Sequence, residues 1–209
     1  MSDYRCTPYC PPFKDVKEKK TALLGEIRKT HPRACNIYNI VNIRGSVEHR
    51  AFFQIYNGKC CYCGCSFKVL SAQLFEVDHL KPKTGPAKKK ENLHMLNNLV
   101  LACRTCNGGK LNYWFNELSQ EWNPDNDGIT QLFIRDNLYN ILIDDKYQSN
   151  TDVNDLYRYL KLGSQFRRLD YLLMTMYGYI QTLPRETEKA ISLLRVYTLL
   201  LEKRNIIGI

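Results

Sequence analysis

The stretch Phe75-Glu-Val-Asp-His-Leu-Lys-Pro-Lys83, FEVDHLKPK, ends an apolar run with an adjacent carboxylate and imidazole, then sets two lysines around a proline. It lies between two thiol pairs, Cys60-Cys-Tyr-Cys63 and Cys103-Arg-Thr-Cys106. Each pair is a CxxC knuckle, and two such knuckles can grip one tetrahedral zinc from two backbone turns at about 2.3 Å per sulfur. Thirty-nine residues separate Cys63 from Cys103, more than in a compact zinc ribbon, so the enclosed loop has room for another task. A four-thiolate site leaves no open coordination position, and its expected role is structural. Cys61 and Cys65 lie nearby, but only Cys60 and Cys63 reproduce the two-residue gap of the second knuckle. Cys61 reads instead as a small buried side chain. Cys6, Cys10 and Cys35 stay unassigned, because the CTPYC run has no matching second pair.

The enclosed Asp78-His79 pair carries complementary chemistry. A neutral imidazole at the end of a strand can take a proton from water, and a carboxylate beside it can hold a hard divalent cation. Neighbours on a strand face opposite sides, so the two can serve different tasks where the strand ends, and Pro82 fits such an ending. Asn107 follows the last thiolate directly, on the first turn of the helix expected there. An isolated Asp-His pair would most often be a surface feature; the ordered series gives this one weight. His31, His49 and His94 have no motif partner, and His94, in the loop, is the one of the three to test.

Outward from this centre the elements are mostly helical, so the expected class is α+β. Pro8, Pro11 and Pro12 make the first stretch turn-like. Residues 15–30 form a Lys-rich helix that ends before His31-Pro32, and Ser46 caps a second helix stopped by Gly58. Val69–Val77 and Leu99–Ala102 read as two strands joined by the basic loop PKTGPAKKKEN, with a helix starting near Arg104. NPDNDG, after Trp122, marks a boundary. Residues 131–144 lean towards strand. A helix capped at Asn150 or Thr151, another from Ser164 to about Thr182 and a last one opened by Pro184 complete an expected helical bundle. Its Tyr171, Met174, Met176, Tyr177 and Tyr179 are read as packing residues. The division expected is a basic N-terminal helical segment, 1–57, a core, 58–122, and a mostly helical region, 123–209.

Composition agrees with a folded chain carrying charge at one end. Of 209 residues 44% are hydrophobic and the net charge is +9. Residues 1–110 hold 19 basic and 8 acidic side chains, whereas residues 111–209 hold 11 and 13. The half with the cysteine, aspartate and histidine cluster is thus the half whose field favours a polyanion. The most apolar run, ISLLRVYTLLL, is short and broken by Arg195, so no membrane span is expected. Nine cysteines, an odd number, without an apolar leader at the N-terminus, point to reduced or metal-bound thiols and a cytoplasmic address.

Taken in order, CCYCG, FEVDHLKP, NNLVLACRTCN and Lys110 resemble the HNH endonuclease family in its zinc-stabilised form, over residues 58–112. That resemblance implies a ββα-metal core with a four-cysteine zinc site on Cys60, Cys63, Cys103 and Cys106, embedded between helical segments. His79 would be the general base that activates water against a DNA phosphodiester. Asp78 and Asn107 would bind one catalytic Mg²⁺ or Mn²⁺, and Asn98 would hold the loop and orient His79. Lys81, Lys83, Lys88, Lys89, Lys90, Arg104 and Lys110 surround the motif as candidate phosphate contacts, as a cluster more than singly. Gly108-Gly109 departs from the basic residues many members carry there, which predicts weaker contacts from that helix. The layout also resembles HNH nucleases of bacterial anti-phage systems such as Septu or retron-linked modules, which implies a protein partner such as an ATPase, docked through the C-terminal region. Two other readings compete: a non-catalytic zinc-dependent DNA-binding module, and a nuclease directed at RNA.

Overall fold

β1 (Phe75–His79) pairs antiparallel with β2 (Leu99–Cys103), and β2 runs straight into α4 (Arg104–Lys110). The computed structural model describes residues 3–84, 92–114, 122–126 and 128–207. In the β1–β2 register Phe75 lies opposite Cys103 and His79 opposite Leu99, so the knuckle and the imidazole sit at opposite ends of one ribbon. Every residue of β2 is buried, which suits its uninterrupted apolar sequence LVLAC. β1 starts later than the expected Val69, because Ser71 caps a 3-10 turn over Ala72–Leu74. It also runs two residues further, to His79.

Before the ribbon come α1 (Val16–Thr30), α2 (Tyr38–Val41) and α3 (Val47–Ile55). The Ser46 side chain accepts from the His49 amide at the start of α3, the cap its position predicts. After α4 come α5 (Ile129–Leu132), a short hairpin of β3 (Phe133–Arg135) and β4 (Ile141–Ile143), then α6 (Thr151–Tyr159), α7 (Gln165–Ile180) and α8 (Glu188–Ile207). The chain is therefore α+β, with two two-stranded sheets among the described residues. The 131–144 stretch resolves into a helical turn and a hairpin, split at Leu132. α7 pairs with α8, while α6 packs on α4 and β4, so α6 lies between the helix that follows the ribbon and the second hairpin. α8 begins at Glu188, four residues after the expected Pro184, and leaves Ile191, Leu194, Val196 and Leu199 exposed.

One contiguous set of buried side chains runs from Tyr4 to Tyr197. The N-terminal turn is part of it: the buried Arg5 donates to the carbonyls of Cys61 and Pro124, both at 2.8 Å. Gly64 permits this approach, because φ is +77° and a Cβ would stand 2.2 Å from the Arg5 carbonyl oxygen. Met174 is buried in the same set, with Met176 and Tyr177 packed against it, and Tyr171 and Tyr179 lie against Tyr139 and Tyr9. No described helix is long and apolar enough to cross a membrane.

In α4 the second of the paired glycines, Gly109, has a steric reason. A Cβ there would lie 2.0 Å from the Tyr159 carbonyl oxygen, whereas one on Gly108 would meet nothing within 4 Å. In zinc-saturated protein Gly109→Ala is expected to destabilise by about 1–3 kcal/mol through overpacking. Gly108→Ala should be neutral or stabilise by up to about 1 kcal/mol through helix propensity. Paired denaturant titrations check this; equal effects would remove the steric account.

Candidate active site and thiolate metal centre

The sulfurs of Cys60, Cys63, Cys103 and Cys106 all lie within 4.8 Å of one another, and all four residues are buried. Backbone bonds set them there. The Cys60 amide donates to the Cys65 carbonyl and the Gly64 amide to the Cys60 carbonyl, both at 2.9 Å, while the Cys61 amide reaches Leu101 of β2 at 2.8 Å. Burial pushes the Cys60, Cys63 and Cys106 thiols up, whereas hydrogen bonds from Cys106, Cys60 and Cys63 hold Cys103 well below the usual thiol range. Four sulfur donors at this spacing, closed off from solvent, suit a tetrahedral zinc. Cys61 and Cys65 are buried outside the cluster, and Cys6, Cys10 and Cys35 are more accessible.

The far end of the ribbon divides its chemistry by strand alternation. Glu76 and Asp78 face α4. The Asn107 amide donates to Glu76 Oε2 at 2.6 Å, and Arg104 Nε lies 3.4 Å from Glu76 Oε1. Asp78 Oδ2 accepts from the Tyr62 hydroxyl at 2.8 Å and pairs with Lys110 Nζ at 3.2 Å. Burial raises the Asp78 carboxyl above its ordinary range, opposed by the Lys110 charge. His79 turns the other way. Its ring lies 4.5 Å from that of Tyr38, and its Nε2 is 3.1 Å from His94 Nδ1. Burial, then the charges of Lys83, His94 and Lys110, lower the imidazole to about 4, so it is neutral at neutral pH. A neutral ring is the form that can accept a proton.

Residues 60–112 match the family model for HNH endonucleases. That is about a quarter of the chain, and it contains both knuckles, the ribbon and α4. No curated protein and no solved structure matches the chain.

Within the HNH segment the expected site residues take distinct places. Asp78 and Asn107 come to the same face of β1, and His79 lies at the end of that strand. The side-chain hydrogen bonds of Asn98 go to the loop backbone and not to the imidazole. It staples the loop: its Oδ1 accepts from the Lys81 amide at 2.8 Å, and its Nδ2 donates to the carbonyls of Lys81 and Leu93 at 3.1 and 2.9 Å. Lys110 corrects an expectation, because it is 1% exposed and donates to the His79 carbonyl at 2.9 Å as well as pairing with Asp78. Turned inward, it braces the strand end instead of reaching a phosphate. Lys83 is exposed with its ammonium 4.3 Å from the Tyr38 ring centroid, Arg104 is exposed, and Lys81 is half-buried beside Trp114. Lys88, Lys89 and Lys90 lie outside the described residues.

Sequence reasoning left out two neighbours, Glu76 and Arg167, and singled out a third, His94, without giving it a partner. Glu76 shares the face of Asp78 because it is two residues earlier on the strand, a signal that alternation supplies. His94 as a partner of His79 depends on how the loop returns. The Nη1 and Nη2 of Arg167 lie 3.1 Å from the sulfurs of Cys63 and Cys106, across more than 60 residues of sequence.

Cys106→Ser should lower the zinc content of purified protein from about one per chain to well below half, since three thiolates hold the ion poorly. Metal analysis with a thermal melt checks this; full zinc occupancy in the variant would exclude the cluster as its site.

Proposed function

We propose that the protein is a metal-dependent endonuclease that hydrolyses DNA phosphodiester bonds, with His79 as the general base. The observation that carries this reading is His79 itself: a neutral imidazole at the end of a zinc-pinned strand, one residue from a carboxylate that faces the opposite side. With Nε2 taken up by His94, the Nδ1 lone pair is the basic position left for water when His94 Nδ1 is the acceptor. His94 and Tyr38 pack against the ring and limit its orientation.

Glu76, Asp78 and the Asn107 amide are oxygen donors on one face of β1 and α4, which suits a hard divalent cation. Asp78 and Asn107, with Glu76 beside them, would hold Mg²⁺ or Mn²⁺, which would stabilise charge on the phosphoryl oxygens and the departing 3′ oxygen. Both side-chain partners of Asp78 sit on Oδ2, and Asn107 bonds Glu76 through Nδ2, so the Asn107 oxygen faces no bond with Glu76. Lys81, Lys83, Arg104 and the lysines of the loop provide the positive field along which a DNA backbone would lie. DNA is favoured over RNA by the resemblance of the motif, and the setting we propose is an effector nuclease of anti-phage defence that works with an ATPase partner.

Plasmid nicking with Mg²⁺ or Mn²⁺ tests the reading. His79→Ala is expected to lose roughly 10²–10⁴-fold in turnover while still binding DNA. His94→Ala should lose less, roughly 10–100-fold, the range for a residue that orients another. Equal cleavage by wild type and His79→Ala would remove His79 from the role of base. Binding without cleavage by either would favour the DNA-binding module, and digestion of structured RNA in place of plasmid would redirect the substrate.

A further inference from the structure

Arg167 is 5% exposed, yet its closest charged partners are sulfurs. Nη1 lies 3.1 Å from Cys63 Sγ and 3.9 Å from Cys103 Sγ, and Nη2 lies 3.1 Å from Cys106 Sγ. Nη2 also donates to the Leu160 carbonyl at 3.1 Å. The nearest carboxylate, Asp170 Oδ2, is 3.9 Å from Nη1, and Asp170 is committed through Oδ1 to Arg204 Nε at 2.8 Å. The Arg167 Nε–H has no partner among the described residues. A buried guanidinium needs its charge met, and here the thiolates meet it.

Two consequences follow from charge and connectivity. Four thiolates around a divalent ion keep a double negative charge, of which Arg167 offsets one unit in a water-poor site. Arg167 also sits near the start of α7, whose Asp170 joins it to Arg204 of α8. The thiolate cluster is therefore the anchor for the first turn of the C-terminal helix pair.

We infer that Arg167 is a positioning residue of the zinc site, a guanidinium clamp on three of its four sulfurs, so that zinc retention and the seating of α7 on the core are linked. Linkage is reciprocal: what strengthens one strengthens the other by the same factor. Outer partners of metal ligands commonly govern 10–100-fold in affinity.

The test uses the full, zinc-loaded chain. Zinc transfer to a chelating indicator is measured for wild type, Arg167→Met and Arg167→Lys, with hydrogen exchange followed over α7 and over residues 75–103. Arg167→Met should give up zinc roughly 10–100-fold more readily, and Arg167→Lys should fall between. With zinc kept saturating, α7 amides of Arg167→Met should lose protection while the ribbon keeps it. Zinc retention within twofold of wild type in Arg167→Met, or α7 protection unchanged in it, overturns the clamp. Should Arg167→Met fail to accumulate, Arg167→Lys decides, since retention equal to wild type there overturns it too. Protein that purifies without zinc overturns it as well. None of these readouts requires cleavage, so a failed nuclease assay leaves them intact.

Discussion

Four cysteine sulfurs gathered within 4.8 Å fix the rest of the molecule, because they tie the turn at 60–63 to the junction of β2 and α4. A two-stranded ribbon with one short helix has too little apolar surface to be stable alone. Here it gains a metal site at one end and cover from three directions. The N-terminal turn sends Arg5 to the knuckle carbonyl of Cys61, α6 packs on α4 across Gly109, and α7 sends Arg167 to the sulfurs. The four sulfurs are the shared destination of chain segments far apart in sequence, so the HNH segment and its flanks share one buried core.

Order at the cysteine end is matched by order at the other. β1 and β2 are held in a register that leaves His79 at the end of its strand, and the Asn98 bonds to Lys81 and Leu93 close the loop just beyond. Alternation then separates the acidic face, Glu76 and Asp78, from the imidazole face. Lys110 spans that division, paired with the Asp78 carboxylate and donating to the His79 carbonyl. Its charge opposes the effect of burial on Asp78 and adds to the effect of burial on His79. One buried ammonium thus favours a charged carboxylate and an uncharged imidazole together, the protonation states that the proposed metal holding and proton abstraction call for.

Much of this was legible in residues alone, and the reasons differ. The knuckles were readable because thiolate spacing is a covalent constraint, and α3, α6 and α7 because Ser46, Asn150 and Ser164 cap them through local bonds. The start of β1 was placed too early because Val69 and Leu70 are apolar for packing while Ser71 already turns the chain. Lys110 shows the limit for charge: a lysine in a basic half reads as a surface group, and only the approach of α4 to β1 turns it inward. Arg167 had no local signal at all, and the position of His94 in the loop gave no partner for it, since both contacts arise from tertiary return of distant segments. The pair Gly108-Gly109 looked like a loss of phosphate contacts until Tyr159 supplied a steric reason for the second glycine.

The central claim is that a tetrathiolate metal organises both the ribbon and its flanking helices. X-ray absorption at the zinc edge on the purified chain tests it most directly. The account predicts a first shell of four sulfurs at about 2.3 Å and no nitrogen or oxygen ligand. A shell containing nitrogen or oxygen donors, or a folded chain that carries no zinc, would contradict it.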